Sequence, residues 1–158
     1  MENRMFIRKF QPADLEAVLE LFHDVVHTIG AKYYSLDQVE AWAPKSVDKE
    51  KWLNSLTANV TFVAVDKDKI VGFGDMTVTG DVDRLYVHKD YQGIGVAIFK
   101  KLEEEARKLG LTELTTEASI MAKKIVERWG FEVIEKQSKV LRGQEFITYV
   151  MRKKLSAK

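Results

Sequence analysis

The segment from residue 85 to residue 109 constrains the fold most, because a strand, a glycine-containing turn and a long helix follow one another in it. The extended run Leu85-Tyr86-Val87 leads into the turn, and an amphipathic helical pattern starts at Gly95 and stops before Gly110. The first N–H groups of such a helix have no partner within it and lie at the positive end of the helix dipole. With glycines that permit close approach, this geometry suits a phosphate group, although the turn also works as a tight connection without a ligand.

Two common phosphate-binding motifs can be compared with this turn. A P-loop needs a Lys followed by Ser or Thr after its last glycine, and Val96 and Ala97 stand there instead. A dinucleotide fingerprint would use Gly93 and Gly95, but Ile98 replaces its third glycine and the chain has no second mononucleotide-binding half. The sequence therefore argues against both motifs.

Apolar periodicity predicts the remaining elements. Apolar residues at steps of three and four from Leu15 to Ile29 predict a helix that Gly30 ends with a positive φ. The order of elements predicts an α/β (α+β) fold with a mostly antiparallel, mixed central sheet of about seven strands flanked by helices, in a single domain over residues 1–158. The predicted strands span residues 5–10, 60–65, 70–79, 81–87, 114–117, 131–142 and 144–152, and the further helices residues 35–43, 49–56, 95–109 and 122–129.

Composition excludes several classes of function. The 158 residues carry 25 Lys and Arg against 24 Asp and Glu, and a net charge of +1 argues against a nucleic-acid-binding protein that works through bulk charge. The absence of cysteine excludes disulfides, cysteine-ligated metals and cysteine nucleophiles, and fits a reducing compartment. No apolar run reaches the roughly 18 residues that cross a bilayer. We therefore predict a cytoplasmic protein that binds neither nucleic acid nor membrane.

Two blocks of the sequence resemble the GNAT superfamily of N-acetyltransferases. Gln92, Gly95 and Ala97 match the family's pattern of Gln or Arg, two residues, Gly, one residue, and Gly or Ala, between a strand and a long helix. Residues 119–131 look like the family's second block, in which a helix led by an Ala ends in Gly-Phe. Within the superfamily, residues 34–44, 117–119 and 142–143 further resemble the bacterial YafP-type branch.

The resemblance implies that acetyl-CoA is the co-substrate and that no metal is needed. The strand that ends at Val87 and the strand over residues 114–117 are then expected to splay in the middle of the sheet, so that free main-chain groups bind the pantetheine arm of the CoA thioester. Ser119 is expected near the pantetheine, or alternatively caps the following helix. The predicted cofactor contacts are Leu85, Tyr86, Val87, Gln92, Gly93, Ile94, Gly95, Val96, Ala97 and Ser119.

Acetyl transfer to an amine needs an uncharged nucleophile, because an ammonium group has no lone pair. The resemblance implies that Asp83 accepts the proton, with Asp81 as the second candidate, and the alternative is that both are solvated carboxylates at a strand end. Many family members protonate the leaving thiolate with a Tyr, and Val126 stands at that position here. Water or the hydroxyl of Tyr86 or Tyr34 would then donate the proton, or the thiolate would leave unassisted.

Aromatic residues lie in the helical region that covers the acceptor pocket in this superfamily. Tyr34 and Trp42 are the predicted acceptor contacts, on an apolar or cationic group, and core packing is their alternative role. Arg142 could face an acidic group of the acceptor or lie exposed in its hairpin. His23 and His27 stand four residues apart, but without a third ligand they predict no metal site.

The predicted function is the transfer of an acetyl group from acetyl-CoA to a primary amine of a small molecule or protein. The amine would attack directly in a ternary complex, and the enzyme would be a monomer or a homodimer. The alternative is a non-catalytic module that binds or senses acyl-CoA, which the replacement of the usual Tyr by Val126 motivates.

Overall fold

The structure of the protein is a computed structural model, which describes residues 5–155. Residues 1–4 and 156–158, which the predicted domain over 1–158 includes, lie outside the described residues. The strands are β1 (Phe6–Lys9), β2 (Val60–Asp66), β3 (Lys69–Met76), β4 (Asp81–Val87), β5 (Glu113–Ser119), β6 (Glu132–Leu141) and β7 (Gln144–Lys154). The α-helices are α1 (Leu15–Thr28), α2 (Leu36–Trp42), α3 (Lys49–Ala58), α4 (Gly95–Lys108) and α5 (Lys123–Arg128), and 3-10 turns span Pro12–Asp14, Gly30–Lys32 and Lys89–Ile94.

The strands within residues 5–155 form one seven-stranded sheet in the order β1-β2-β3-β4-β5-β7-β6. Neighbouring strands run antiparallel except β4 and β5, which run parallel. The predicted mostly antiparallel, mixed sheet is therefore confirmed. Because β7 lies between β5 and β6, the final hairpin joins the sheet through its second strand.

Strands β4 and β5 separate after a short paired stretch. In the part of the chain that the structure describes, they pair at two positions, Asp81 with Thr115 and Val82 with Thr116. The Thr116 hydroxyl also donates to the Val82 carbonyl oxygen at 2.8 Å. Beyond this point β4 continues to Val87 and β5 to Ser119, but the two strands no longer pair with each other. This opening, called the gap below, confirms the predicted splay in the middle of the sheet.

Helices cover both faces of the sheet. Alternate residues of β2 belong to different clusters, because side chains alternate across a strand. Val63 packs in the cluster that contains residues of α1 to α3, whereas Phe62 packs in the cluster of α4. Across residues 5–155, none of the helices is both long and apolar enough to span a membrane.

The end of α1 differs from the prediction at Gly30. This residue lies in the 3-10 turn, and it is not one of the glycines with positive φ, which are Gly80, Gly110, Gly130 and Gly143 among the described residues. The predicted positive φ at Gly30 is therefore wrong. The chain does not reverse direction at Gly30, because the last turn tightens into a 3-10 turn. The N–H groups of Tyr33 and Tyr34 both donate to the Gly30 carbonyl oxygen.

Candidate active site

A cavity of about 430 Å³ lies where the gap opens, a volume typical of a small-molecule site. Strand β4 contributes residues 81–86 to its wall, and β5 contributes residues 116–119. Helix α5 and the residues beside it line one end with apolar side chains, including Val126 and Trp129. The wall also includes Tyr34, Trp42, Phe146 and neighbouring residues.

The free edge of β4 faces the gap. The N–H of His88 donates to the Val71 carbonyl at 2.8 Å, which fixes the alternation of hydrogen bonds between β3 and β4. In an antiparallel pair every second residue bonds to the partner strand, so the main chain of Tyr86 faces β3. The main-chain groups of Leu85 and Val87 therefore face the gap, where none of the described residues of β5 pairs with them. This edge can take up an extended ligand as an additional strand.

The predicted phosphate-binding turn leads from β4 into α4. The Gln92 side chain donates to the carbonyl oxygens of Val87 at 2.6 Å and His88 at 3.1 Å, so this side chain holds the turn itself. Tyr91 anchors the same turn through a hydrogen bond from its hydroxyl to Asp66 Oδ2 at 2.7 Å. A Cβ added to Gly93 would meet no atom within 4 Å, so the main chain is open there. The turn thus presents main-chain groups at the start of a long helix.

The start of α4 lies beside the apolar end of the cavity. A Cβ on Gly95 would stand 3.6 Å from the Trp129 ring, so the first turn of α4 packs directly against the residue that follows α5. Phe99, one turn further along α4, stacks on Trp129 with ring centroids 5.0 Å apart. The remaining predicted cofactor contacts are Ile94, Val96 and Ala97. They lie at the end of the turn and the start of α4, and none of the three lines the cavity.

Asp83 lies at a β-bulge of β4. Asp75 of β3 pairs with Arg84 and the next residue, Met76, pairs with Val82, so Asp83 is the extra residue without a partner on β3. A bulge breaks the alternation of side chains and changes the direction of the inserted one. As a result Asp83 Oδ2 lies 3.6 Å from Arg84 Nε, and both side chains line the cavity.

The carboxylates of the cavity differ in basicity. Burial raises the pKa of Asp83, and the buried Asp75 raises it further, while Arg84 and Lys139 act against this. Burial also raises the pKa of Asp81, although a hydrogen bond from Thr115 at 2.9 Å favours its carboxylate. These two carboxyl groups are therefore better proton acceptors near neutral pH than ordinary aspartates.

Glu117 behaves differently from the two aspartates, although it lines the same cavity. Burial would raise the pKa of its carboxyl group, but hydrogen bonds from Thr148 at 2.6 Å and Lys139 at 3.2 Å outweigh burial and lower the pKa. Glu117 is therefore a stable negative charge in the cavity and a weak base.

Trp42 of helix α2 and Tyr34, just before the cap of this helix, line the cavity. Ser35 caps this helix by accepting a hydrogen bond from the Gln38 N–H at 3.1 Å. The Trp42 indole N–H donates to the Tyr86 hydroxyl at 3.1 Å, and the ring of Tyr34 lies edge-on to Trp42 with centroids 5.3 Å apart. Burial raises the pKa of the Tyr86 phenol, so it stays protonated. The structure thus brings Tyr34, Trp42 and Tyr86 together at one end of the cavity.

The Tyr34 hydroxyl points at the turn between β5 and α5. It is buried and completes no hydrogen bond of good geometry with any described residue, although Ser119, Ile120 and Met121 lie against it. Burial raises the pKa of the Tyr34 phenol. Ser119 Oγ itself accepts from the Ala122 N–H at 3.1 Å, which closes the turn before α5. The N-cap of α5 is Ala122 and receives no side-chain hydrogen bond, so the alternative that Ser119 caps this helix is wrong. Ser119 also lines the cavity, so its bond with Ala122 places its side chain at the cavity wall.

Three other sequence candidates have structural partners. Arg142 adopts a positive φ of 46° in the hairpin and donates to the Ala41 carbonyl oxygen at 2.6 Å, so it fastens the hairpin to α2. His23 and His27 stack with ring centroids 4.0 Å apart, and His27 Nε2 lies 2.8 Å from the Ala43 carbonyl oxygen. Residues 5–155 contain no cluster of side chains suited to a metal ion.

Sequence reasoning missed the pair of Asp75 and Arg84. Asp75 is completely buried in β3, and its carboxylate forms an ion pair with Arg84 at 2.5 Å. A signal for Asp75 was present, because a carboxylate within an otherwise apolar strand has to find a partner. Its partner could not be deduced, since that depends on the register between β3 and β4.

Comparison with known proteins agrees with this geometry. The family model described as Acetyltransferase (GNAT) domain matches residues 31–153. The chain is 32% identical to the uncharacterized N-acetyltransferase YafP of Escherichia coli K12 over 154 residues, which cover 96% of this chain and 97% of that protein. The crystal structure of a GCN5-related N-acetyltransferase from Rhodopseudomonas palustris is 28% identical, with a TM-score of 0.90 and coverage of 98% of this chain and 99% of that one.

A second solved structure extends the likeness in fold. The PaiA N-acetyltransferase of Thermoplasma acidophilum, solved in complex with coenzyme A, is 24% identical with a TM-score of 0.76, over 98% of this chain and all of that one. The family model covers most of the described residues, and the likeness to YafP extends over nearly the whole chain. The chain therefore belongs to the GNAT family of acetyltransferases.

Proposed function

We propose that this acetyltransferase moves the acetyl group of acetyl-CoA to a primary amine, by direct attack in a ternary complex. The observation that carries the proposal is the junction of three features at the gap. The free main-chain edge of β4 at Leu85 and Val87 leads from the start of α4 towards a cavity that contains raised-pKa carboxyl groups. A long cofactor and a small acceptor can therefore meet between β4 and β5.

The main chain supplies the cofactor contacts in this proposal. Pantetheine amides pair with the main-chain N–H and C=O groups of Leu85 and with the N–H of Val87, whose carbonyl oxygen already accepts from Gln92, while the side chain of Tyr86 remains in the cavity wall. The pyrophosphate binds the main-chain N–H groups between Gln92 and Ala97, where the helix dipole favours an anion. PaiA, which has a similar fold, was solved in complex with coenzyme A, and this supports a coenzyme A site here.

Asp83 is the proposed proton acceptor. Asp83 first takes a proton from the ammonium group, and the neutral amine nitrogen then attacks the thioester carbonyl carbon. The C–S bond breaks to release the CoA thiolate, and the nitrogen gives up its second proton to solvent, which balances the proton that the thiolate receives. The raised pKa of Asp83 makes the first proton transfer more favourable than it would be to an ordinary aspartate. Asp81 and Glu117 add negative charge, which favours an acceptor that arrives as a cation.

Tyr34 is the proposed proton donor to the thiolate. Val126 lines the cavity and cannot donate a proton, so the usual tyrosine of helix α5 has no counterpart at that position. The Tyr34 hydroxyl is buried and protonated beside Ser119, Ile120 and Met121 and completes no hydrogen bond of good geometry with a described residue, so a thiolate that reaches this part of the cavity wall can receive its proton. The Tyr86 hydroxyl already accepts a hydrogen bond from the Trp42 indole N–H, which holds it beside Trp42 in the cavity wall.

The acceptor is a primary amine on a small molecule or on a protein, with contacts to Tyr34 and Trp42. We further propose that the enzyme is a monomer or a homodimer. We also propose that it acts in the cytoplasm, because a sequence without cysteine fits a reducing compartment. Nothing in the structure or the comparisons favours the alternative of a non-catalytic acyl-CoA sensor.

Three experiments test the proposed function. Calorimetric titration with acetyl-CoA should give a saturable heat, and a panel of primary amines should yield free CoA thiol at a rate that depends on the amine. Replacement of Tyr34 by Phe should lower kcat by about tenfold or more and leave the affinity for acetyl-CoA within about twofold. Binding of acetyl-CoA without turnover on any amine would instead support the sensor, and absence of binding would refute the cofactor assignment.

A further inference from the structure

Arg84 is held from several sides by Asp75 and Ser55, which do not line the cavity, and by Trp52, which does. Its Nη2 lies 2.5 Å from Asp75 Oδ2 and donates to the Ser55 hydroxyl at 2.6 Å, and its Nε lies 3.2 Å from both oxygens of Asp75. The guanidinium carbon stands 4.7 Å over the Trp52 ring. On the far side, Asn59 donates to Asp75 Oδ2 at 2.9 Å. In the ion pair of Asp75 and Arg84, each partner therefore has a further hydrogen bond, to Asn59 and to Ser55 respectively.

The same guanidinium lines the acceptor cavity next to Asp83. Arg84 Nε and Asp83 Oδ2 are 3.6 Å apart, longer than the contacts of Arg84 with Asp75. Arginine forms strong two-pronged bonds with carboxylates wherever geometry permits. If Arg84 were released from Asp75, it would pair closely with Asp83, because the Asp83 side chain is about half exposed and free to turn. Asp83 would then be a weaker base, and the guanidinium would extend into the acceptor space.

We propose that Asp75 is a positioning residue for acetyl transfer: its buried carboxylate neutralises Arg84 and holds it against β3, so that Asp83 stays available to the acceptor amine. The inference rests on the proposed function of Asp83 as proton acceptor. It assigns a chemical role to an ion pair that does not itself contact the reacting atoms.

The charges around Asp83 support this role. Asp75 faces it from β3, Asp81 and Arg84 from β4, and Lys139 from β6. Asp75 raises the pKa of Asp83 whereas Arg84 and Lys139 lower it, and the contribution of Asp75 is larger than that of either cation. Loss of the negative charge at position 75 should therefore lower the pKa of Asp83, even if Arg84 does not move.

A role in stability alone does not require this particular pair. Buried ion pairs add little net stability compared with apolar residues of similar volume. Loss of the Asp75 charge lowers the pKa of Asp83 in either case, so a change that frees Arg84 without removing a charge has to separate the two roles. A structural role predicts no change in the pKa of Asp83 when only the Ser55 anchor of Arg84 is removed, whereas the positioning role predicts a lower pKa.

The first variant is Asp75→Asn, which removes the charge and keeps the shape. Carbon-13 NMR of the aspartate carboxyl groups, assigned with Asp83→Asn, measures the pKa of Asp83 in the full chain. We expect this pKa to fall by roughly one unit in Asp75→Asn. The acidic limb of the kcat/KM profile should move down by the same amount, and the plateau should fall about threefold to tenfold because the base is weaker.

Two further variants make the test independent of a folding defect. Ser55→Ala removes one anchor of Arg84 without removing a charge, and should lower the pKa of Asp83 in the same direction by a smaller amount. The double variant Asp75→Asn with Arg84→Gln also removes the released cation, and should restore most of the pKa and of the rate. Asp14→Asn is the matched control, since Asp14 is a buried carboxylate paired with Arg8 at 2.8 Å outside the cavity. It should leave the pKa of Asp83 and the rate profile in place.

The outcomes distinguish this inference from the proposed function. A pKa of Asp83 that stays in place or rises in the folded Asp75→Asn variant or in the folded Ser55→Ala variant overturns the positioning role. A pKa that falls while the rate profile does not follow it shows that Asp83 is not the base, and the positioning role fails with it. Calorimetry with acetyl-CoA judges the cofactor assignment separately in either case.

Discussion

The Trp42 indole N–H donates to the Tyr86 hydroxyl at 3.1 Å and so joins helix α2 to strand β4 across the cavity. Helix α2 is also fastened to the final hairpin, because Arg142 donates to the Ala41 carbonyl and Gln38 to the Glu145 carbonyl at 2.8 Å. These bonds hold the aromatic end of the cavity in one shape before any acceptor binds. Such preorganisation lowers the entropic cost of binding.

Replacement of Trp42 by Phe should therefore weaken acceptor binding. The change removes the N–H that holds Tyr86 and reduces the ring surface, so we expect the acceptor KM to rise about fivefold to tenfold with a KM for acetyl-CoA within about twofold. Tyr33→Phe is the control, because Tyr33 is exposed and does not line the cavity. Steady-state kinetics that gave equal effects on both substrates would contradict the assignment of Trp42 to the acceptor side.

Replacement of Asp83 by Asn should lower kcat/KM by about 10²-fold to 10³-fold, because the proton acceptor is lost. The native pKa of Asp83 is raised, so activity should increase with pH through a limb that lies above the ordinary value of 3.8. This limb should vanish in the variant. Asp81→Asn should have a smaller effect and retain the limb. An unchanged limb in Asp83→Asn would show that another group accepts the proton.

Replacement of Val96 by Asp should weaken acetyl-CoA binding about tenfold, because a carboxylate in the first turn of α4 opposes the pyrophosphate. The fold should tolerate it, since an acidic residue near a helix N-terminus is favourable by about 0.3–1 kcal/mol. Val78→Asp makes the same exchange at an exposed position in the turn before β4, at the end away from α4. Calorimetry should show native affinity in that control, and equal affinities in both variants would refute the phosphate site.

Replacement of Gly74 by Ala should destabilise the protein by about 1–3 kcal/mol. A Cβ there would clash with Leu85 Cδ1 and stand 2.9 Å from Ile98 Cγ2, so the Leu85 side chain would have to turn and Ile98 of α4 would have to shift away from β3. At Gly93 nothing lies within 4 Å of an added Cβ, and Gly93→Ala should change the free energy of unfolding by less than about 0.5 kcal/mol. Urea denaturation of both variants compares the two sites, and a similar loss at each would contradict this packing.

Replacement of Asp14 by Asn should reduce stability above about pH 4 and remove part of its acid dependence. The hydrogen bond from Arg8 holds the pKa of Asp14 below the ordinary value of 3.8, against the effect of burial. For a lowered carboxyl pKa the stabilisation is complete above the unfolded-state value and disappears as pH falls through the folded-state value. The free energy of unfolding should thus differ by about 1–3 kcal/mol between native and variant at pH 7 and converge at low pH. A constant difference at all pH values would exclude this linkage.

Local patterns were sufficient for much of the fold. The amphipathic repeat of α4 and the glycine-containing turn before it predicted the strand, turn and helix from residue 85 onward, because they depend on neighbours in the chain. Gly110 and Gly143 adopt the positive φ that favours glycine at a helix end and in a hairpin. Gly30 shows the limit of this rule, since a 3-10 turn continued the chain there without a reversal.

The sequence by itself thus determined the order of the elements, the type of sheet and the turn proposed for the phosphates. Only the tertiary structure decided what surrounds the reacting groups. The bulge that turns Asp83 towards Arg84, the burial of Asp75 beneath that arginine and the approach of Tyr34 to the turn after β5 all join residues distant in the chain. Pairing of this kind depends on strand register and on the packing of separate elements, and residues far apart in sequence carry no local signal of it.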